Sequence, residues 1–430
     1  MPSSRFTAHA EPANLRECAQ CGLFQRLPPL ARGEVAECPR CGHVLRRERR
    51  DLTDRTMALG LTGLVLYAVA LMFPFLELEV GGRIWTITVP ALPGAVGYYG
   101  QWELSLVMLG ATVLAPLAVL CLTVAVLAGL RGPEMPAWVP QAARWREQLL
   151  PWSMVEVFLL GVFVAYTRLA AIATVRVGPA LWAVGGLMLV MVALDALLDR
   201  ASLWEAVSRR LPPVRAARTV GRPIACDACG EVSHAVPGAT CPVCAAKLDP
   251  RKPGSLARTS AFLIAAAVLY IPANIYPILT YTRLARGLPS TILGGVEELI
   301  EAQMWPLALL VFVASICVPV LKLFGIALLV VTTLFGSGWR LRDRTRLYRI
   351  VDVIGRWSMI DVFMLAILVA LVQNGQIATV VPGLGAVCFA AVVVLTMLAS
   401  ASFDPRLMWD AAERRAARRG AAPDLAGARA

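Results

Sequence analysis

The stretch Trp152-Ser-Met-Val-Glu-Val-Phe158 returns 205 residues later as Trp357-Ser-Met-Ile-Asp-Val-Phe363. A return of this fidelity at that distance marks a duplicated architecture. Outward from it, Pro74 and Pro277, Trp102 and Trp305, and Pro116 and Pro319 keep a spacing of 203, while Asp199 with Asp404 and Trp204 with Trp409 keep 205. Cys18 and Cys226 open two cysteine clusters 208 residues apart. Each half is therefore a cysteine module followed by a longer domain.

Composition identifies that longer domain. The chain has 430 residues, 58% hydrophobic and 16% charged, with a mean hydropathy of +0.65, whereas soluble domains carry about 25% charged residues. Apolar segments cover approximately 56–76, 104–130, 154–175 and 180–198, and after a polar insert 256–279, 305–335, 359–372 and 377–401. Each is close to the ~20 residues that cross about 30 Å of hydrocarbon, the seventh being short. Eight spans in two quartets follow. Because four is even, the quartets share one orientation and are related by an axis along the membrane normal.

The formal charge of +12 lies beside the spans. Arg46, Arg47, Arg49, Arg50 and Arg55 precede the first, and Arg131, Arg144 and Arg146 lie between the second and third. Arg209, Arg210, Arg215, Arg218 and Arg222 follow the fourth; Arg340, Arg342, Arg344, Arg346 and Arg349 separate the sixth from the seventh; Arg414, Arg415, Arg418 and Arg419 close the chain. The alternate loops carry Arg83, Arg176, Arg283 and Arg286 beside Glu77, Glu79, Glu297, Glu298 and Glu301. By the positive-inside rule both termini and the central insert are cytosolic. No folded basic domain is left for nucleic acid. None of Lys247, Lys252 and Lys322 precedes Ser or Thr, which excludes a Walker A motif, and residues 1–50 hold no apolar core of a cleaved signal peptide.

The cysteines divide into Cys18-Ala-Gln-Cys21 with Cys38-Pro-Arg-Cys41, and Cys226-Asp-Ala-Cys229 with Cys241-Pro-Val-Cys244. Two tight CxxC turns joined by a short ribbon are what a tetrahedral thiolate site requires. Gly42 and Gly230 after a knuckle suit a left-handed backbone. Four thiolates leave no open coordination position, and a reducing cytosol disfavours disulfides, so two structural zinc ions are expected, with iron or thiol exchange as the other readings. Cys121, Cys317 and Cys388 fall within spans as packing residues, and His9, His43 and His234 are too scattered for a metalloenzyme motif. The expected fold is an all-α polytopic membrane protein: two parallel repeats of four transmembrane helices, each preceded by a small cytosolic zinc-ribbon-like β module. Its parts are a ribbon at 1–50, a membrane domain at 51–200, a second ribbon with linker at 201–255, a second membrane domain at 256–405 and an Arg-rich tail at 406–430.

Inside the membrane, Lys322 in Pro319-Val-Leu-Lys322 faces a bundle interior, a cavity or a lipid phosphate, or snorkels from a long helix. Val119 holds the matching place in the first half, so that role is not duplicated. Glu156 and Asp361 suggest a proton relay, but Ser153 and Ser358 three residues earlier give Ser-x-x-Glu and Ser-x-x-Asp, a capping box and its near relative. Trp152 and Trp357 read as interfacial anchors. Pro74, Pro116, Pro277 and Pro319 are expected to kink equivalent spans. Arg83-Ile-Trp-Thr-Ile-Thr-Val89 alternates like a strand, as a partner platform or an ordinary hairpin.

These features together resemble the paraquat-inducible protein A family, which includes the lipophilic-envelope-spanning tunnel protein A. The resemblance rests on a CxxC pair before each quartet and on Ala273-Asn274-Ile-Tyr-Pro277-Ile-Leu. It rests also on Val-Pro319-Val-Leu-Lys322, the two Trp-Ser-Met motifs and Phe403-Asp-Pro-Arg-Leu-Met-Trp-Asp410. The first half departs from it, with Phe73-Pro-Phe75 in place of the Asn-containing motif and no lysine, so substrate contacts are expected in the second half. The resemblance implies a non-enzymatic inner-membrane protein of a diderm bacterium, exchanging lipid with a periplasmic MCE-domain tunnel partner; the residues themselves offer Lys322 as a contact for an anionic headgroup or as half of an ion pair. Two other classes remain open on the residues: a proton-coupled secondary transporter or channel using Glu156, Asp361 and Lys322, and a zinc- or redox-responsive membrane scaffold.

Overall fold

In a computed structural model, residues 15–420 are described apart from 29, 32, 48–51, 81–82, 171–173, 212–220, 284–285 and 373–377. His9, Arg49, Arg50, Arg215 and Arg218 lie outside the described residues. The first cysteine module is two small hairpins, β1 (Leu15–Glu17) with β2 (Phe24–Arg26) and β3 (Val35–Glu37) with β4 (Val44–Arg47), each closed by one CxxC turn. After it come α1 (Leu52–Met72), the hairpin β5 (Leu76–Val80) and β6 (Arg83–Ile87), α2 (Ala91–Gly97) and α3 (Trp102–Met108). A π-helical turn, Leu109–Leu114, leads into α4 (Ala115–Arg131). The half is completed by α5 (Val139–Leu149), α6 (Val155–Ala170), β7 (Thr174–Val177), α7 (Pro179–Leu197) and α8 (Arg200–Arg210).

The second half repeats this order. Hairpins β8 (Arg222–Ala225) with β9 (Val232–Ala235) and β10 (Ala239–Thr240) with β11 (Lys247–Leu248) form its module. Then follow α9 (Ser255–Ile275), β12 (Leu279–Arg283), β13 (Arg286–Ser290), α10 (Ile292–Glu301) and α11 (Trp305–Phe312). Another π-helical turn, Val313–Cys317, precedes α12 (Val318–Leu334). Last are α13 (Leu341–Trp357), α14 (Ile360–Val372), β14 (Ala378–Pro382), α15 (Leu384–Ser402) and α16 (Arg406–Gly420). Among the described residues eight helical stretches are long and apolar enough to cross a membrane, so the protein is a multi-pass membrane protein.

At the end away from the cysteine modules each half carries a three-stranded antiparallel sheet, ordered β6-β5-β7 and β13-β12-β14. The strand-like alternation at Arg83–Val89 is thus part of a sheet that recruits β7 from beyond α6. This shortens the expected spans, since Thr174–Val177 and Ala378–Pro382 are strands and α1 and α9 stop at Met72 and Ile275.

The prolines do not act as the sequence suggests. Pro74 and Pro277 stand past the ends of α1 and α9 and kink nothing; their carbonyls accept from the backbone N–H of Ala180 (3.1 Å) and Gly385 (3.2 Å), capping the first turns of α7 and α15. A Cβ on Gly178 or Gly383 would lie 2.2 or 2.1 Å from those carbonyl oxygens, so glycine is required there by close approach. Pro116 and Pro319 lie at the starts of α4 and α12, just after the π-helical turns, where widened i→i+5 spacing absorbs the missing N–H.

The repeated heptapeptide meets its own copy at the centre. α6 and α14 pack on each other, with Phe158 edge-on to Phe363 at 5.6 Å between ring centroids. A Cβ on Gly161 would come within 2.9 Å of the Phe363 Cβ, so only glycine lets α14 this close. α14, with 13 residues, is about 20 Å long and α6, with 16, about 24 Å; neither alone crosses ~30 Å of hydrocarbon. Each belongs to a longer broken stretch, Val139–Thr167 for α6 and Leu341–Leu371 for α14, in which the preceding helix α5 or α13 leads into the short one.

Candidate metal centres and an intramembrane cleft

All four CxxC turns are built alike. The first cysteine's N–H donates across the hairpin (to Leu23, His43, Glu231 and Ala246), and its carbonyl accepts from the residue after the knuckle. That residue must be left-handed: Gly22, Gly42 and Gly230 have φ of 70°, 67° and 74°, and Ala245 accepts the same region at 55°. The eight sulfurs are buried, and within each set all lie within 4.8 Å of one another. Neighbouring sulfurs stand 3.4 to 3.6 Å apart. Four sulfurs about 2.3 Å from a zinc ion would be about 3.8 Å apart, and a disulfide would hold them at about 2.05 Å, so these clusters fit a tetrahedral cation. Hydrogen bonding from Cys21 lowers the Cys18 thiol to about 4, while burial and the Cys18 charge push Cys41 up to about 11. Four thiolates so close need a cation to coexist.

In sequence each module precedes its quartet; in space the two are crossed. Cys18, Cys21, Cys38 and Cys41 pack with Ile326, Leu329, Tyr348, Phe403 and Trp409 of the second half. Cys226, Cys229, Cys241 and Cys244 pack with Leu127, Leu130, Leu203 and Trp204 of the first. Arg349 on α13 donates to the carbonyl of Cys41 (3.2 Å), and Arg200 on α8 donates to the carbonyls of Asp227 and Ala228.

A buried ion cluster joins both modules to the last span. Arg406 forks onto Asp404 (2.9 Å to each oxygen), reaches Asp227 of the second module at 2.7 Å and lies 3.6 Å from Glu17 of the first. Arg251 bridges Glu17 (2.8 Å) and Asp410 (2.7 Å), and Arg16 donates to the Gly230 carbonyl (3.0 Å). Burial works to raise Asp404, yet its hydrogen bonds and charge contact with Arg406 hold it below the usual carboxylate range; for Glu17 burial wins over Arg406 and Arg251 and its pKa is raised.

Lys322 is enclosed, with 1% of its surface exposed; its ammonium donates to Thr396 Oγ1 (2.8 Å) on α15 and to the Gly355 carbonyl (3.3 Å) near the end of α13. It neither snorkels nor faces lipid. Its role is duplicated after all. Arg146 on α5, its side chain 3% exposed, donates through Nε to Thr123 Oγ1 on α4 (2.9 Å) and lies 3.5 Å from Asp195 on α7. Thr123 in turn donates to the carbonyl of Val119, the residue matching Lys322. In each half a buried cation ties the same three elements together, supplied by the span in one and by the connecting helix in the other. The sequence held a signal: Val139, Ala142, Ala143 and Arg146 form one i, i+3, i+4, i+7 face, so Arg146 belongs to the buried stripe and not to the topology-setting charge around it.

The capping-box reading is corrected as well. The carbonyls of Met154 and Met359 accept from the N–H of Phe158 and Phe363, which makes methionine the first cap and leaves each serine one residue outside the helix. The hydroxyls of Ser153 and Ser358 are buried with no hydrogen-bond partner among the described residues. Glu156 and Asp361 do sit in first turns, where the positive helix end favours them. Asn274 donates to the Tyr270 carbonyl (2.8 Å) within its own helix, and Pro319 is buried.

The two carboxylates line repeat-related cavities. Asp361, Met364, Leu365 and Ala386 border a narrow pocket of about 50 Å³ beneath the second sheet, lined also by α10 and by Leu104 of α3. Their counterparts Glu156, Leu159, Leu160 and Leu181 border an open cleft of about 480 Å³ between α6 and α7, with Trp357 of the second half at its edge. Across the two halves, α2 packs on α14. Lys322 lines neither cavity.

The family model for paraquat-inducible protein A matches the chain twice, over residues 53–208 and 256–413, one match per half. The chain is 35% identical over 401 residues to the intermembrane transport protein PqiA of Escherichia coli K12, covering 91% of this chain and 95% of that one. It is 30% identical over 429 residues to the lipophilic envelope-spanning tunnel protein A of the same strain (96% of each), and 27% identical over 435 residues to a probable intermembrane transport protein of Haemophilus influenzae (96% and 100%). No solved structure matches the chain. With a duplicated quartet, paired cysteine modules and both family matches in register, the chain belongs to the paraquat-inducible protein A family.

Proposed function

We propose that the protein exchanges phospholipid or another lipid between the inner membrane and a periplasmic MCE-domain tunnel partner, without covalent chemistry. The carrying observation is the cleft of about 480 Å³ along α6 and α7, apolar apart from its ends. It is open to the outside of the protein, and Phe163 on its wall is 58% exposed. A cleft of that shape takes an acyl chain at little cost, since hydrocarbon leaves one apolar surrounding for another. The relatives' names, which speak of intermembrane transport and an envelope-spanning tunnel, support the same reading. The positive-inside pattern supports modules and termini in the cytosol and the two sheets on the periplasmic side, where they offer a paired platform to the tunnel partner. The two cysteine sets are then structural zinc sites that hold the cytosolic mouth together.

A photoreactive residue at Leu160 or Phe163 in the full chain should label phospholipid in native membranes, and addition of the tunnel partner should draw that label away. Failure of both positions to label lipid, while a residue at exposed Trp182 does so, would sink the proposal.

A further inference from the structure

We infer that the two metal centres fill as one unit, an ion in either module raising the affinity of the other, and that Arg16 and Glu17 of β1 carry the coupling. It rests on the proposed assignment of metal to both cysteine sets. β1 of the first module lies against β9 of the second. Glu17 immediately precedes Cys18. Its side chain is 3% exposed; it accepts from Arg251 at the end of the second module (2.8 Å) and lies 3.6 Å from Arg406. Arg406 also reaches Asp227, which follows Cys226, at 2.7 Å. From the same strand Arg16 donates to the carbonyl of Gly230, which follows Cys229 (3.0 Å), and stands 3.7 Å from Glu231. Arg251 adds a contact at Gly22, which follows Cys21: a Cβ there would lie 2.8 Å from its guanidinium. Residues adjoining Cys18, Cys21, Cys226 and Cys229 are therefore held across the boundary between the modules.

These contacts grip the part of each module that a cation shapes. Gly230 is left-handed, and its N–H closes the knuckle on the Cys226 carbonyl at 2.8 Å; Gly22 does the same for Cys18. Four buried thiolates without a cation repel, and ribbons of this size have too few apolar residues to hold the turns against that. When a knuckle opens, the Gly230 carbonyl leaves Arg16, or Glu17 leaves Arg251 and Arg406. A buried charge stripped of its partner is costly, so an empty module weakens the fold of the filled one. The first ion, conversely, fixes β1 and the β8–β9 hairpin against each other, and the second enters a module already in place. Ordering that both ions need is met once, which is positive coupling, and such coupling is equal in both directions. The membrane helices do not supply this link, since the first module packs on the second quartet and the second on the first.

The full chain in detergent, stripped of metal and titrated with Co2+ against a competing chelator, tests this through the absorbance of the cobalt–thiolate bond. Cys18→Ser with Cys21→Ser, which disables the first centre, should weaken Co2+ binding at the second about tenfold, and Cys226→Ser with Cys229→Ser should weaken the first by the same factor. In a chain already carrying Arg16→Ala and Glu17→Gln, neither serine pair should change the affinity of the surviving centre. An effect that is absent in the parent background, unequal in the two directions, or undiminished by Arg16→Ala and Glu17→Gln overturns the inference and leaves the metal sites standing. Should the serine variants fail to accumulate, native mass spectrometry at one Co2+ per chain decides: Arg16→Ala with Glu17→Gln must raise the share of chains holding a single ion, and an unchanged share overturns the coupling. A parent chain that binds no Co2+ overturns both the coupling and the assignment of metal to the cysteine sets.

Discussion

At the residue scale, the side chains that decide this structure join parts of the chain that are remote in sequence. Arg406 touches three carboxylates from three segments, and Asp404 beside it is 1% exposed. Truncating one partner of a buried charge cluster leaves the others uncompensated, so Arg406→Ala should cost about 3–5 kcal/mol, read as a fall in thermal stability and as faster proteolysis of both modules. A loss below ~1 kcal/mol would mean that the cluster does not join the modules. Gly383→Ala is expected to be comparably harmful despite its small size, because the added Cβ would press on the Pro277 carbonyl that caps α15. The same substitution at Gly185, where nothing lies within 4 Å of a Cβ, should be neutral or slightly stabilising; equal effects at the two glycines would refute the close-approach account.

At the element scale, the broken helices show how far a motif can be read from its spacing. Ser-x-x-Glu and Ser-x-x-Asp name the right turns, since both carboxylates do occupy the first turn of a helix, but they place each cap one residue early. The reason is physical. A capping box is a local pattern, whereas here the helix start is fixed by packing of Phe158 on Phe363 and Phe75 across the molecule. Loss of a true serine cap costs about 1 kcal/mol. Ser358→Ala should instead be neutral or stabilising within about 0.5 kcal/mol, because it removes a buried hydroxyl with no partner among the described residues; melting of the purified variant in detergent checks this. The prolines teach the same lesson, since Pro277 was legible as a repeated feature and not as the acceptor for Gly385.

At the scale of the whole molecule, the crossed docking makes each metal centre a clamp on the opposite half. Stripping metal with a strong chelator should release both modules, opening the segments around Arg251 and Arg200 to protease while the eight-span core keeps its helical signal. Replacement of Cys226 by serine should loosen α8 of the first half before α16 of the second, and the reverse order would contradict the contacts at Leu203 and Trp204. By itself the sequence determined the duplicated quartets, the eight crossings and the two four-cysteine sets, because these rest on composition, period and spacing carried by continuous segments. The tertiary structure alone decided which module sits on which quartet, that Arg146 takes the place of Lys322 in the first half, and that one carboxylate lines a wide cleft while its twin lines a narrow pocket. Those outcomes depend on which surfaces meet after folding, and a duplication leaves two equivalent partners for every surface that nearby residues cannot tell apart.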